Sequence, residues 1–516
     1  MILRFAGTLL VLCALAACAP SATPLGPSAR CEALSRVELP GVQVKSASIP
    51  KPEKGQPEYC RVKGVVDRAR FELRLPTERW NGKYYMAGCG TFCGVVGTGD
   101  PQYKLGIERG YATIISDAGH QSWTSGGSSW ARDDPEARSD HAWRAVHRTA
   151  GSGRKLTETY YGAGVQRAYF NGCSNGGRQG LMQATRFPED FDGILAESPA
   201  QDVLPILMVW THALLDDTGA DGKPIFRREK LPLLQRAVAK ACGDRDGVVT
   251  GMECDFDPVA LQCPQGERDD CLSADEVRVV RAWYAGPPAS DAYEGLGGVP
   301  KGSEAFWLPR SPPPLLTRML TRVLYGASLD DVLVSIKLGS GILIRDVLST
   351  PALDPDYDAR DFDPARDLPR LQPFAAEMTP SRDLSGLRAR GGKLLITQSL
   401  GDIAVPPAYN VAYWQEAQAR LGENAADTVR MFLIPGMGHC GNGEGPQLPG
   451  YDSGDFDALS ALENWVEKGQ APAALIATRR DTSGRVTRSE PLCALPARAV
   501  YLGQGDPADY ASWACR

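Results

Sequence analysis

Arg167-Ala168-Tyr169-Phe170-Asn171-Gly172-Cys173-Ser174-Asn175-Gly176-Gly177 is the stretch on which the reading of this chain turns. Arg167 to Asn171 reads as a short strand, and Gly177 to Phe187 reads as a helix halted by Pro188. Between them, Gly172-Cys173-Ser174-Asn175-Gly176 fits the pattern Gly-x-Ser-x-Gly. On a strand–turn–helix corner such a serine is lifted to the top of a sheet with its hydroxyl exposed. The five-residue pattern alone is common, so its weight depends on what the rest of the chain supplies.

Working outward, β-like runs appear at 61–66, 70–75, 83–87 and 111–116, parted by turn residues such as Trp80-Asn81-Gly82. Helical stretches follow at 142–149 and 155–161. Beyond Gly391-Gly392 the alternation resumes: strand 393–397, helix 408–421, strand 429–434 and helix 456–468. Strands alternating with helices predict an α/β fold, a mostly parallel sheet with helices on both faces. Residues 201–380 break this rhythm with clustered cysteines, Pro312-Pro313-Pro314 and acidic turns. The expected organisation is an α/β-hydrolase core in two parts, 31–200 and 381–516, with a large inserted lid domain over 201–380.

An elbow serine needs a base and an orienting acid, which in α/β-hydrolases follow in the order Ser, Asp or Glu, His. Only five histidines exist, and His439 follows strand 429–434 in Pro435-Gly436-Met437-Gly438-His439. Asp402 follows strand 393–397 in the same way. Both fall at the carboxyl edge, where α/β sheets build sites. Asp452, Asp455 and Asp457 are rivals for the acid, but they come after His439 and break the order. The expectation is that Ser174 attacks, His439 carries the proton and Asp402 holds the imidazole. An oxyanion needs two backbone N–H groups: one from Asn175, the other from the loop Gly88-Cys89-Gly90-Thr91-Phe92-Cys93-Gly94, with Gly90 favoured.

A chain of 516 residues, 43% hydrophobic and 23% charged, is of ordinary globular composition. Its net charge of −6 gives no basis for nucleic acid as a partner. Arg4 followed by an apolar run to Ala17 reads as a signal peptide over 1–17, too short to span a bilayer. Leu15-Ala16-Ala17-Cys18 resembles a lipobox, so Cys18 is expected to carry lipid, with 18–30 as a flexible tether. The expected location is exported: a periplasmic or outer-membrane, cell-surface lipoprotein, otherwise a secreted protein. Beyond Cys13 and Cys18, twelve cysteines remain, an even number that fits disulfides in an oxidising compartment. Sequence does not fix the pairing. Proximity favours Cys31–Cys60, Cys89–Cys93, Cys242–Cys254, Cys263–Cys271 and Cys493–Cys515, which leaves Cys173 and Cys440.

Cys173-Ser174, Asp402 and His439-Cys440 together resemble the tannase and feruloyl esterase family. Phe187-Pro188-Glu189-Asp190-Phe191-Asp192-Gly193 and Gly391-Gly392-Lys393 support the likeness, which runs from about Cys31 to the C-terminus. It implies a serine carboxylesterase acting on small esters of aromatic acids, feruloyl, galloyl or related. The alternatives are a terephthalate monoester or other aryl-ester hydrolase and, in another class, a non-catalytic ligand-binding surface lipoprotein. The family also implies structural calcium in the lid. Here Gly243 and Thr250 stand where relatives have carboxylates, leaving Asp246 and the carbonyls of Val248 and Met252, with Asp244 as a substitute. No cofactor is expected to be required. Gln398 replaces a histidine that lies beside the pocket in relatives. Trp210, Trp283, Phe306, Trp307 and Phe362 are either pocket lining or plain lid core.

Overall fold

Neighbouring residues on the central strands point to opposite faces, and both faces are apolar. The computed structural model describes residues 25–307, 343–441 and 455–516, apart from 53–54, 124–126, 222, 245–246, 291–294, 351–352, 358–361 and 481–482. Cys18, the proposed signal segment and Asp246 lie outside the described residues. Nine strands form one sheet: β1 (Val42–Ser48), β2 (Tyr59–Val66), β3 (Ala69–Pro76), β4 (Lys83–Ala87), β5 (Ala112–Ser116), β6 (Arg167–Cys173), β7 (Gly193–Glu197), β8 (Lys393–Ser399) and β9 (Val429–Ile434). Their order is β1-β2-β3-β5-β4-β6-β7-β8-β9. From β5 to β9 every pairing is parallel, while β1, β2 and β3 add an antiparallel arm. Phe170, Ile194, Leu394 and Met431 enter one core. Their chain neighbours Tyr169, Leu195, Leu395 and Phe432 enter the other. A parallel sheet covered on both faces requires this double lining.

The reading of 142–149 and 155–161 as separate helices is corrected: one helix runs Ala145–Tyr161. Gly153, between the two expected stretches, serves packing. A Cβ on Gly153 would sit 2.4 Å from Tyr84 Oη, so glycine lets this helix lie close on β4. Two C-terminal hairpins, Ala474–Arg480 with Val486–Cys493 and Ala499–Tyr501 with Trp513–Cys515, had no sequence expectation.

After β7 the chain leaves the sheet and returns only at β8. The described residues between them form helices, including Val203–Asp216, Leu231–Cys242, Ala274–Ala285 and Pro364–Met378, joined by irregular segments. This segment has its own core, where Trp283 and Trp307 meet edge to face at 4.9 Å beside Phe226. Lys230 Nζ and Glu276 Oε2 form a fully buried ion pair at 2.6 Å within it. All six disulfides favoured by proximity and remainder are present: Cys31–Cys60, Cys89–Cys93, Cys173–Cys440, Cys242–Cys254, Cys263–Cys271 and Cys493–Cys515. Such a set fits a chain that folds in an oxidising compartment. No helix among the described residues is long and apolar enough to cross a membrane.

Candidate active site

Ser174 sits between the end of β6 and the helix Asn175–Arg186, at φ 60° and ψ −123°, a conformation costly for a residue with a side chain. Three backbone hydrogen bonds hold it there. Ser174 N–H donates to Glu197 O at 2.9 Å, and Ser174 O accepts from Arg178 N at 2.9 Å and from Ala200 N at 3.0 Å. The flanking glycines are steric requirements of the same turn. A Cβ on Gly172 would lie 2.5 Å from the Gly176 carbonyl carbon, and one on Gly88 would lie 2.7 Å from Gly176 Cα.

His439 Nδ1 lies 2.8 Å from Asp402 Oδ2. Asp402 is fully buried and its Oδ1 accepts the N–H groups of Ala404 at 2.9 Å and Val405 at 2.8 Å. Burial alone would lower the His439 pKa, but the charge and hydrogen bond of Asp402 win and raise it. Gln398 is not beside the pocket: it is fully buried behind Asp402, with Nε2 3.5 Å from Asp402 Oδ2 and 3.1 Å from Val405 O. Ser174, His439, Gly90 and the Cys173–Cys440 disulfide border one cavity of about 790 Å³. Chain positions 228 residues apart (Ser174 to Asp402) and more are thereby assembled in one place.

The loop expected to supply an oxyanion donor is closed by Cys89–Cys93 and held from below by the elbow helix. Asn175 Nδ2 donates to Cys89 O at 3.1 Å, while Gln179 Oε1 accepts Cys89 N–H at 3.1 Å. Arg178 Nε orients Asn175 by donating to Oδ1 at 2.9 Å, while its Nη1 donates to the carbonyls of Ala142 and Met378 and its Nη2 to that of His141. Burial lowers the Arg178 pKa to about 10. Among the described residues the N–H groups of Gly90 and Thr91 have no protein acceptor.

A second cavity of about 280 Å³ shares His439 and Thr91 with the first and is lined by Trp130, Trp210, Phe92, Phe374 and His141. Of the aromatic residues proposed from sequence only Trp210 lines it. Trp283, Trp307 and Phe362 are buried in the cores of the inserted segment. Phe306 instead seats on the site's backbone: a Cβ on Gly401 would lie 2.4 Å from its ring, and one on Gly438 2.7 Å. Trp130 and His141 escaped sequence reading because nothing local marks them. Trp130 packs between His120, at 4.6 Å, and His141, at 4.4 Å, contacts made only by the fold. Arg178 and Gln179 also escaped sequence reading, because the burial of the first ten residues of their helix is set by the fold.

In the described part of the loop that the family likeness links to calcium, Asp244 is engaged with Val248 and Arg488. Val248 O accepts Asp244 N–H at 2.8 Å, Asp244 Oδ1 accepts Val248 N–H at 3.0 Å, and Asp244 Oδ2 lies 3.8 Å from Arg488 Nη2. Met252 is exposed. His147, Glu189 and Asp190 cluster elsewhere, but His147 Nδ1 bonds Asp190 Oδ2 at 2.7 Å and its ring stacks on Phe187, as in a structural ion pair.

The fold and comparisons with known proteins define the class: a carboxylic ester hydrolase of the α/β-hydrolase type. Feruloyl esterase B from Aspergillus oryzae superposes with a TM-score of 0.77 at 23% identity, covering 95% of this chain and all of that one. A profile of the tannase and feruloyl esterase family matches residues 59–516, and the chain belongs to that family. An uncharacterized esterase of Xanthomonas campestris pv. campestris is 30% identical over 99% of this chain and 96% of its own length. Mono(2-hydroxyethyl) terephthalate hydrolase of Piscinibacter sakaiensis is 29% identical over 89% of this chain and 85% of its own.

Proposed function

We propose that this chain hydrolyses esters of aromatic acids through an acyl-enzyme on Ser174, with His439 as base and acid and Asp402 as its orienting carboxylate. The observation that carries this reading is the 2.8 Å contact of His439 Nδ1 with fully buried Asp402 beside a strained elbow serine bordering the same cavity. Asp402 fixes the tautomer that leaves Nε2 free to take the Ser174 proton. Attack puts negative charge on the carbonyl oxygen, which the N–H of Asn175 and one from Gly90 or its neighbour receive. His439 then returns the proton to the leaving alcohol, and water releases the acid by the reverse path.

The cavity of about 280 Å³, walled by Trp130, Trp210 and Phe374, supports an aromatic acyl group, feruloyl, galloyl or related. The inserted segment acts as the lid that contributes Trp210 and Phe374. A terephthalate monoester fits the same wall and is the second reading, motivated by the terephthalate hydrolase among the relatives. Export, with Cys18 as a lipid anchor, completes the proposal and accords with the six disulfides. The test is release of chromophore from a p-nitrophenyl hydroxycinnamate. The wild type shows a burst and steady turnover, and Ser174→Ala loses at least about a thousandfold of it. Equal activity in the variant rejects the reading.

A further inference from the structure

An ester has two halves, and the site opens onto two cavities of different lining. The smaller is aromatic. The larger, about 790 Å³, is bordered by five carboxyl groups and two guanidinium groups, Arg109 and Arg480, besides Ser174 and His439. Most of these charges have structural employment. Asp457 caps a helix through Ser460 N–H and pairs with Arg109 at 2.8 Å, Asp100 caps another through Gln102 N–H, and Arg480 binds Gly484 O. Glu197 is different. It is 9% exposed, and among the described residues no lysine or arginine pairs with it. Its Oε1 accepts Gln102 Nε2 at 2.6 Å, and its backbone carbonyl accepts the N–H of Ser174 itself at 2.9 Å. A carboxyl buried without a cation is costly unless hydrogen bonds satisfy it. Burial pushes its pKa up to about 7, against the pull of Gln102 and Asn171.

Resting on the esterase reading above, we propose that the larger cavity receives the alcohol half of the ester, and that Glu197, steadied by Gln102, hydrogen-bonds a second hydroxyl of that alcohol. Glu197 is thus a specificity-determining residue for an uncharged polyol leaving group. Glu197 lines the same cavity as Ser174 and His439, and its backbone is tied to the serine, so an alcohol leaving Ser174 into that cavity meets its carboxyl. The acidic excess around the cavity opposes an anionic alcohol.

The experiment compares esters of one aromatic acid with methanol, ethylene glycol, glycerol and glycerol phosphate, in wild type, Glu197→Leu, Glu197→Gln and Gln102→Leu. The wild type prefers glycerol over methanol by at least tenfold in kcat/KM and disfavours the phosphorylated alcohol. Glu197→Leu and Gln102→Leu each reduce the glycerol-to-methyl ratio at least fivefold, while Glu197→Gln, which keeps a hydrogen-bonding group, retains more of it. Should Glu197→Leu fail to fold, Gln102→Leu carries the test. A wild type without preference, or a ratio unmoved by these substitutions, overturns the proposal. Turnover persisting in Ser174→Ala would instead overturn the esterase mechanism, so the two failures are told apart.

Discussion

Removing the Cys173–Cys440 bridge by Cys173→Ala with Cys440→Ala separates two roles of one bond. The bridge closes a loop of 267 residues. In the chain-entropy model that restricts the unfolded state by about 5 kcal/mol, an upper figure. Unfolding entropy of roughly 2 cal/mol/K per residue, taken over 516 residues, turns this into a melting shift of only about 5 °C. Locally the bond does more. It joins the residue before Ser174 to the residue after His439, and Cys440 itself stands at φ 57°. Without it the His439 turn keeps its bond to Asp402, Gly401 N–H to Met437 O at 2.9 Å, and Gly441 N–H to Gly438 O at 3.2 Å. None of these reaches the serine. A displacement near 1 Å between nucleophile and base costs about a hundredfold. The expected outcome at 20 °C, where the variant remains folded by circular dichroism, is a kcat about a hundredfold lower with a melting point about 5 °C lower. A kcat loss no greater than the unfolded fraction would refute the argument that the bridge sets the distance.

On the proposed mechanism catalysis needs neutral His439, whose raised pKa places the acid limb of kcat/KM above pH 6.5, with activity lost as pH falls through it. Asp402→Asn moves that limb to lower pH and cuts kcat by about 10³–10⁴. The limb persists in Glu197→Gln, and its disappearance there would assign it to Glu197 instead. Gln179→Ala releases the Cys89 N–H bond and lowers kcat roughly tenfold, with KM changed by less than about twofold. Equal effects on both parameters would deny Gln179 a positioning role. Lys230→Met removes the 2.6 Å partner of buried Glu276, leaving it the longer contact to Arg227 Nε at 3.4 Å, and costs about 3 kcal/mol in urea unfolding followed by tryptophan fluorescence. Adding Glu276→Leu recovers little, because Glu276 also accepts the N–H groups of Ser273 and Arg227; full recovery would mean those bonds contribute nothing.

The elbow was legible because its demands are local: a strand, two glycines and a helix must follow one another within about twenty residues, and Gly172 is where backbone contact allows nothing larger. The positions of Asp402 and His439 followed from strand ends, which a one-dimensional pattern records. β7 did not, since Gly193-Ile194-Leu195-Ala196-Glu197 is a short continuous apolar run that periodicity does not separate from helix. The insert's aromatic residues were not sorted either. Trp210 and Trp283 look alike in sequence, yet Trp210 bonds Ala404 O at 2.8 Å beside the site and Trp283 bonds Ala213 O inside the lid. That choice depends on tertiary contact alone. Glu197 escaped for a related reason, since an acid closing a strand gives no warning that its cavity is shared with the serine.

Phe306 rests on Gly401 and Gly438, one glycine just ahead of the acid and the other just ahead of the base. The insert therefore stands, through Phe306 and through the Trp210 bond to Ala404 O, on the two turns proposed to carry proton transfer. Transplanting an insert from a relative would bring a new foot with it. A bulkier or missing ring would tilt the imidazole or leave it wet, so selection for new substrates and selection for turnover meet at the same square of backbone.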